Sequence, residues 1–272
     1  MKTREQWQLH GNAPEIYERY LVPAVFAPWV PQLTAMAALR PGDHVLDVAC
    51  GTGIVARGAA RIVGTQGRVG GVDLNRGMLD VARSIPPEPG ATEVEWHESS
   101  VEDMPFEDAA FDAAFCQQGL QYFLDPREAL REIRRVLALD GRLVLSVWPS
   151  LNYTPGYAAL AEALEKYIGP QTRNTMTAPF SLNDPAALRA MLVEAEFREV
   201  SINPKAGMVR FSSPEEFVIR RLSGSPLADA VRAVDDDVRL DIVKHVASRL
   251  RAYTTNDGLA FPIETNIAVA VV

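Results

Sequence analysis

The sequence predicts an α/β fold: a Rossmann-like, doubly wound sheet with helices on both faces. The first indication is a short apolar run at residues 45–48, followed at once by a turn containing Gly51 and Gly53 and by an amphipathic helix from Ile54 to Val63. The second is the repeated alternation of such strands with helical segments up to Trp148, which is typical of a parallel sheet. The third is a length of 272 residues, enough for one large domain with insertions.

Composition narrows the function classes. The formal net charge of −8 argues against a nucleic-acid partner, because binding phosphates needs a basic surface. No apolar run of about 18 residues exists to span a membrane, and the first residues lack the apolar stretch of a secretory signal, so we expect a cytoplasmic protein. Cys50 and Cys116 are expected to be reduced thiols. The four histidines show no ligand spacing, so no metal is predicted.

The glycine turn alone does not identify its ligand, because Gly51-x-Gly53-x-x-Ala56 also satisfies the dinucleotide-binding fingerprint. Asp47, four residues before Gly51, favours a different ligand. A carboxylate facing an incoming pyrophosphate would repel it, whereas a ligand that carries an ammonium and a sulfonium would be attracted. S-adenosylmethionine is such a ligand, and it contains no phosphate.

The segment from Asp47 to Gly53, Asp-Val-Ala-Cys-Gly-Thr-Gly, resembles motif I of the class I S-adenosylmethionine-dependent methyltransferases. Ala49 replaces the first glycine of the family pattern, a change expected to be mild because alanine needs only ordinary backbone angles there. Residues 40–150 resemble the ubiquinone/menaquinone-methyltransferase-like (methyltransferase type 11) group. The resemblance implies in-line methyl transfer from S-adenosylmethionine to an O, N or C nucleophile of a small molecule, leaving S-adenosylhomocysteine. It also implies a seven-stranded sheet whose last strand, residues 266–272, is antiparallel.

Further residues are expected to contact the cofactor. Asp73 ends the second strand 20 positions after Gly53, where an α/β site places a carboxylate for the ribose hydroxyls. Gln117 and Gln118 end the fourth strand, at the edge where ligands bind. The resemblance also implies that apolar side chains cover the adenine ring. It implies a further contact to the adenine edge, from a stretch in which Ser100 occupies the position where the family usually has an aspartate. The expected cofactor contacts are Asp47, Ala49, Cys50, Gly51, Gly53, Asp73, Leu74, Met78, Ser100, Val101, Glu102, Gln117, Gln118 and Tyr20.

The catalytic residue and the acceptor are less defined. His10 and Gln118 are candidates for a base and for a group that orients the acceptor. Tyr17 and Tyr20 lie three apart on one helical face, so they could reach the pocket or anchor the N-terminal segment to the core. Aromatic residues there and at Tyr153, Tyr157 and Phe180 suggest a flat, apolar acceptor.

The chain is expected to comprise an N-terminal helical arm at 1–40, an S-adenosylmethionine-binding core at 41–150, and a C-terminal part at 151–272. This last part would complete the sheet and carry a helical cap insertion on the acceptor side. Two alternatives stay open: a nicotinamide-dependent oxidoreductase, and a non-catalytic module that binds S-adenosylmethionine. The sequence also leaves a homodimer open.

Overall fold

A computed structural model describes residues 8–272 and contains one eight-stranded sheet with the spatial order β3-β2-β1-β4-β5-β8-β6, to which β7 adds a short pairing with β8. The α/β doubly wound fold is therefore confirmed. One strand more than expected is present within these residues, because a two-residue strand turns back on β8. The strands are β1 His44–Val48, β2 Arg68–Asp73, β3 Val94–Glu98, β4 Phe111–Gln117, β5 Leu137–Val147, β6 Arg198–Phe211, β7 Thr254–Thr255 and β8 Gly258–Val271.

The direction of the strands follows the expected pattern. Strands β1 to β5 pair in parallel, and β8 is antiparallel to both of its neighbours, β5 and β6. Parallel strands bring their carboxyl ends to one edge of the sheet, which is where ligands bind in open α/β folds. The reversed β8 brings its early residues to the same edge, so Asn266 lies opposite Val147.

Eleven α-helices are described within residues 8–272, and they cover both faces of the sheet. Most begin with proline in the first turn or with a side-chain cap, as at Asp125 and Ser213. The helices are α1 Ala13–Ile16, α2 Val30–Ala37, α3 Ile54–Val63, α4 Arg76–Ser84, α5 Pro126–Val136, α6 Pro155–Tyr167, α7 Gln171–Thr177, α8 Pro185–Glu194, α9 Pro214–Ser223, α10 Ala228–Arg232 and α11 Asp236–Arg249. None of the helices in this described part is long and apolar enough to cross a membrane.

Two apolar clusters form the core, one on each face of the sheet. Alternation along β1 sends Val45 to one cluster and Leu46 and Val48 to the other. The first cluster includes the helical arm and the C-terminal helices, and the second includes α5 and α8. Residues 45–48 are all at most 1% exposed, which explains why this strand is an apolar run interrupted only by Asp47.

The helical arm is present, but its prolines do not separate it into isolated pieces. Residues 13–37 are helical throughout and change their hydrogen-bonding pattern along the way. A π-helix at Tyr17–Phe26 contains Pro23, and a 3₁₀ turn at Ala27–Trp29 joins it to α2. Proline has no N–H to donate, so a change of helix type accommodates it without ending the helical segment.

The largest difference from the sequence prediction is the length of β6 and β8. The sequence predicts strands at 199–202 and 266–272, with residues 208–211 set apart from both. Instead, residues 205–211 pair with residues 259–265 beyond the end of β5. We call this two-stranded extension the ribbon. It lies against the arm, since a Cβ on Gly207 would come within 2.7 Å of the Trp29 ring.

Candidate functional site

A cavity of about 270 Å³ lies at the carboxyl edge of the sheet. Its lining comes from the arm, the glycine turn, the ends of β2, β4 and β5, and the helices that follow β5 and β6. One half is formed around Asp73 and the glycine turn. The other half is formed by aromatic and apolar side chains. Tyr17 connects the two halves, because it is close enough to Asp73, Tyr122 and Tyr157 for each to raise its pKa.

The glycine turn is shaped by positive φ angles. Gly51 and Gly53 have φ values of +55° and +84°, and a Cβ on Gly53 would lie 2.2 Å from the Trp96 ring. Gly51 faces the cavity beside Met78. Ala49 also has φ +55°, so the expectation of ordinary backbone angles at this position was wrong. The position at which the motif has its first glycine is therefore left-handed in this chain, and the alanine there is strained.

Asp47 does not line the cavity. Its carboxylate is 1% exposed and accepts a hydrogen bond of 2.9 Å from the backbone N–H of Ala56, in the first turn of α3. Burial raises the pKa of Asp47 to about 7, and the hydrogen bond from Ala56 opposes that rise. The carboxylate thus lies behind the glycine turn, not in front of it, and it occupies a helix N-terminal donor that a phosphate would otherwise use.

Asp73 lines the cavity at the end of β2. One of its oxygens accepts from the N–H of Gly51 and the other from the N–H of Asn75, both at 2.8 Å. Burial raises its pKa, and these backbone donors oppose the rise. Each carboxylate oxygen has a second lone pair, so Asp73 can hold the glycine turn in place and still accept hydrogen bonds from a ligand.

The residues expected around adenine line the same half of the cavity. They are Leu74, Met78, Ser100, Val101 and Glu102. The Ser100 hydroxyl donates to the Glu102 carboxylate over 2.7 Å. The stretch that resembles the family's acidic motif therefore presents a linked hydroxyl and carboxylate.

Gln117 and Gln118 both line the cavity but hold different elements. The Gln117 amide donates to the carbonyl of Phe26 at 3.0 Å, which ties the arm to the end of β4. Gln118 is buried with φ +55°, and its amide donates to the hydroxyls of Ser146 and Thr265 at 3.2 and 3.0 Å. Its role in the structure is to join the ends of β4, β5 and β8.

The second half of the cavity carries three phenolic hydroxyls. Burial is the main cause that raises the pKa of Tyr17, Tyr122 and Tyr157, that of Tyr122 to about 12. These hydroxyls therefore stay protonated at neutral pH, where they can donate hydrogen bonds but cannot act as bases. Apolar side chains complete this half, namely Leu21, Phe26, Trp148, Met176, Pro179 and Leu227.

Several residues named from the sequence lie outside this lining. His10 is exposed, and Tyr20 stacks under the Arg220 guanidinium at 3.8 Å, which anchors the arm to α9. Cys50 and Gly53 are buried within the turn and shape it from behind. Tyr153 is largely exposed. Phe180 packs in the core against Tyr157, which does line the cavity.

Other lining residues were not identified from the sequence. Asn75 caps α4 by accepting from the N–H of Met78. Asparagine is a common residue just before a helix, so the sequence could have identified this cap. Tyr122 and Trp148 follow the ends of β4 and β5, so the rule that ligands bind at this edge could have found them. Arg221 comes from α9. No local pattern places that helix over the sheet.

Comparison with known proteins agrees with this geometry. A family model described as a methyltransferase domain matches residues 46–145. A 2-phytyl-1,4-naphtoquinone methyltransferase of Trichormus variabilis is 39% identical over 121 residues, which are 43% of this chain and 52% of that protein. The chain thus spans about half the length of this relative. The Haemonchus contortus phosphoethanolamine N-methyltransferase 2, solved with S-adenosyl-L-methionine, has a TM-score of 0.59 at 19% identity, covering 95% of this chain and 56% of that one.

A longer match establishes the family. The ubiquinone/menaquinone biosynthesis C-methyltransferase UbiE of Ectopseudomonas mendocina is 32% identical over 187 residues, which are 63% of this chain and 72% of that protein. This match extends well beyond the segment that carries the glycine turn. The chain therefore belongs to the class I S-adenosylmethionine-dependent methyltransferases, in the group that includes the ubiquinone/menaquinone methyltransferases.

Proposed function

We propose that this protein transfers the methyl group of S-adenosylmethionine to an O, N or C nucleophile of a small molecule. The observation that carries the proposal is the division of one cavity into two halves. A carboxylate at the end of β2 and a glycine turn form one half, and an apolar, aromatic surface forms the other. The family membership supports the same reaction, and the names of the quinone-methylating relatives support a small, apolar acceptor.

The residues of the first half fit the cofactor. Asp73 retains lone pairs that can accept from ribose hydroxyls, and Gly51 offers a surface without a side chain. Leu74 and Met78 supply an apolar cover for adenine. A dinucleotide fits less well, because the Asp47 carboxylate takes the N–H of Ala56 and places negative charge near where a pyrophosphate would bind.

The protein's own contribution to the reaction is binding, alignment and exclusion of water. S-adenosylmethionine, when bound, supplies a methyl group already activated by its sulfonium. The arm contributes Tyr17, Leu21 and Phe26 to the lining, so bound reactants are covered by buried aromatic and apolar side chains. Holding an acceptor close to the methyl group and in line with it supplies much of the rate enhancement in such a displacement.

The individual contacts and the organisation of the chain belong to the same proposal. We place the arm at 1–40, the cofactor-binding core at 41–150 and the acceptor-side part at 151–272. Within this scheme, Gln117 and Gln118 hold the arm and the strand ends in place. A cytoplasmic location and a homodimer stay predictions.

The first experiment is a parallel calorimetric titration with S-adenosylmethionine, S-adenosylhomocysteine and NAD. We expect micromolar binding of the first two and none of NAD. Binding of NAD alone would replace the proposal with the oxidoreductase alternative. Binding of S-adenosylmethionine without methyl transfer to any molecule of a broad acceptor panel would favour the non-catalytic module.

The cofactor contact at Asp73 is tested by Asp73→Ala. Loss of a hydrogen-bond partner for a polar ligand group should weaken S-adenosylhomocysteine binding by about 1–3 kcal/mol, measured by calorimetry. The control is Asp80→Ala, which removes the same charge from an exposed position on α4. Because Asp73 also holds Gly51, thermal unfolding of both variants must be compared. Unchanged affinity in a folded Asp73→Ala protein would remove Asp73 from the site.

A further inference from the structure

Arg221 in α9 is the one cationic side chain in the cavity lining formed by residues 8–272. The other charged groups in that lining are the carboxylates of Asp73 and Glu102. These come from the half assigned to the cofactor, whereas Arg221 comes from the cap beside Tyr157 and Leu227. The charges in the two halves are therefore of opposite sign.

The guanidinium of Arg221 has aromatic neighbours and no carboxylate partner in the described part of the chain. Its Cζ lies 5.1 Å from the centre of the Tyr157 ring, and no acidic side chain of residues 8–272 pairs with it within 4.0 Å. The adjacent Arg220 differs, because it pairs with Glu216 at 3.9 Å and stacks on Tyr20 outside the cavity. A half-buried arginine without a carboxylate is a strong receptor for an anion, since its donors are arranged for two parallel hydrogen bonds.

The position of Arg221 among the tyrosines also favours the binding of an anion. Arg221, Tyr122 and Tyr157 line the same cavity, and the charge of Arg221 opposes the effect of burial on the pKa of both tyrosines. These hydroxyls are protonated donors, and no histidine or lysine of residues 8–272 lines the cavity. An acidic oxygen placed among these groups would be stabilised in its ionised form by hydrogen bonds and by the guanidinium.

We propose that the methyl acceptor is an apolar molecule that carries one acidic oxygen group, a phenolate, an enolate or a carboxylate, and that Arg221 binds this group as the anion. This inference rests on the proposed function and specifies its substrate class. Arg221 thereby determines specificity, while the aromatic wall binds the apolar body of the acceptor.

The charges balance for an acceptor whose anion is the nucleophile. An electron pair of the acceptor forms the bond to the methyl carbon, and the carbon–sulfur bond breaks with its electrons moving to sulfur. The anion and the sulfonium become two neutral products. Where the bound anion is a carboxylate away from the reacting atom, it passes through the reaction unchanged and serves to orient the acceptor, and the proton of the neutral nucleophile is released to water after methyl transfer.

The test uses three naphthalene probes with the protein saturated by S-adenosylhomocysteine. They are 2-naphthoate, its neutral isostere 2-naphthamide, and 2-naphthol, whose ionisation can be varied with pH. We expect 2-naphthoate to bind about 10–100-fold more tightly than 2-naphthamide, the range for a charge-assisted pair. Tighter binding of 2-naphthol as the pH rises would indicate a phenolate or enolate acceptor, and preference for naphthoate alone would indicate a carboxylate.

The decisive variants are Arg221→Gln and Arg220→Gln, which make the same charge change at adjacent positions. The preference for naphthoate should disappear in Arg221→Gln, be partly retained in Arg221→Lys, and persist in Arg220→Gln. Equal binding of naphthoate and naphthamide to the parent protein would overturn the inference, as would a preference that survives in Arg221→Gln. Binding of S-adenosylhomocysteine is measured in every variant. Absence of S-adenosylhomocysteine binding counts against the proposed function. Absence of the preference for naphthoate, with S-adenosylhomocysteine still bound, leaves that function intact.

Discussion

At the scale of single residues, Ala49 shows how a departure from a family motif is accommodated. Its φ of +55° suits glycine, and its methyl group faces the backbone of Gly119, where an added Cβ would lie 2.7 Å from the Ala49 Cβ. The side chain missing at residue 119 therefore makes room for the one present at residue 49. Cys116 limits the same space, with its sulfur 2.9 Å from that added Cβ.

This pairing predicts coupled stabilities. Ala49→Gly should raise the free energy of unfolding by about 0.5–1 kcal/mol, because it relieves a left-handed alanine. Gly119→Ala should lower it by about 1–3 kcal/mol through overpacking. In the double variant, the cost of Gly119→Ala should be smaller, since one of its two close contacts is gone. Urea denaturation of all four proteins measures the coupling, and strictly additive changes would refute it.

Asp47 gives a prediction about pH. Its pKa is about 7 in the folded protein and 3.8 as an ordinary aspartate, so between these values the folded state holds more protons than the unfolded state. The contribution of this group to stability is therefore complete below about pH 4 and is lost as the pH rises to 7. Asp47→Asn should flatten the decline in unfolding free energy over this range and leave the decline that is due to Asp73, whose pKa burial also raises.

The control for this measurement is Asp257→Asn, at an exposed residue between β7 and β8. Its decline in stability from pH 4 to 7 should match that of the parent. A parent protein whose stability is constant or increases over this range would contradict the assignment to Asp47.

At the scale of elements, the arm is held over the cavity by a small number of polar contacts. Glu18 in the π-helix pairs with Arg57 of α3 at 2.8 Å, and both side chains are less than one quarter exposed. Arg57 also donates to the carbonyl of Thr52 in the glycine turn. A second contact, from Gln117 to the Phe26 carbonyl, holds the other end of the π-helix. The arm is thus attached directly to the elements that form the cofactor half.

Weakening this attachment should increase the rate of ligand release. Glu18→Gln keeps an acceptor for Arg57 but removes the charge, so we expect S-adenosylhomocysteine to dissociate about 2–5-fold faster in stopped-flow displacement. Glu15→Gln removes the same charge from an exposed residue of α1 and should leave the rate unchanged. Equal rates in Glu18→Gln and the parent would show that the arm does not limit release.

At the scale of the whole molecule, the sequence predicted the parallel half of the sheet well. Strands β1, β2 and β4 are signalled by buried apolar segments and β3 by alternating side chains, with turns between them, and all of these are local features. The ribbon was missed because Pro204, Gly207 and Pro262 are poor strand residues. Their pairing joins β6 to β8 across more than 50 residues of the chain, so no local pattern signals it.

Part of the cavity lining could also be predicted from the sequence. Asp73 and Gly51 were found because their positions follow from the strand–turn–helix pattern. The orientation of Asp47 toward Ala56 and the left-handed angle of Ala49 depend on the exact path of the turn, which residue types alone do not specify. Arg221 depends on the packing of α9 over the sheet, and such tertiary contacts leave no local signal.

The ribbon has a consequence for how such a protein can diversify. The ribbon ends at the pair formed by Phe211 and Leu259, and the segment between these two residues carries α9 to α11, so this cap begins and ends at one point. A segment with adjacent ends can be lengthened, shortened or exchanged at the modest entropic cost of closing a different loop. The part of the acceptor wall that includes Arg221 and Leu227 can therefore change independently of the glycine turn. A scaffold of this form can acquire new substrates by replacing one insert while its cofactor chemistry is inherited intact.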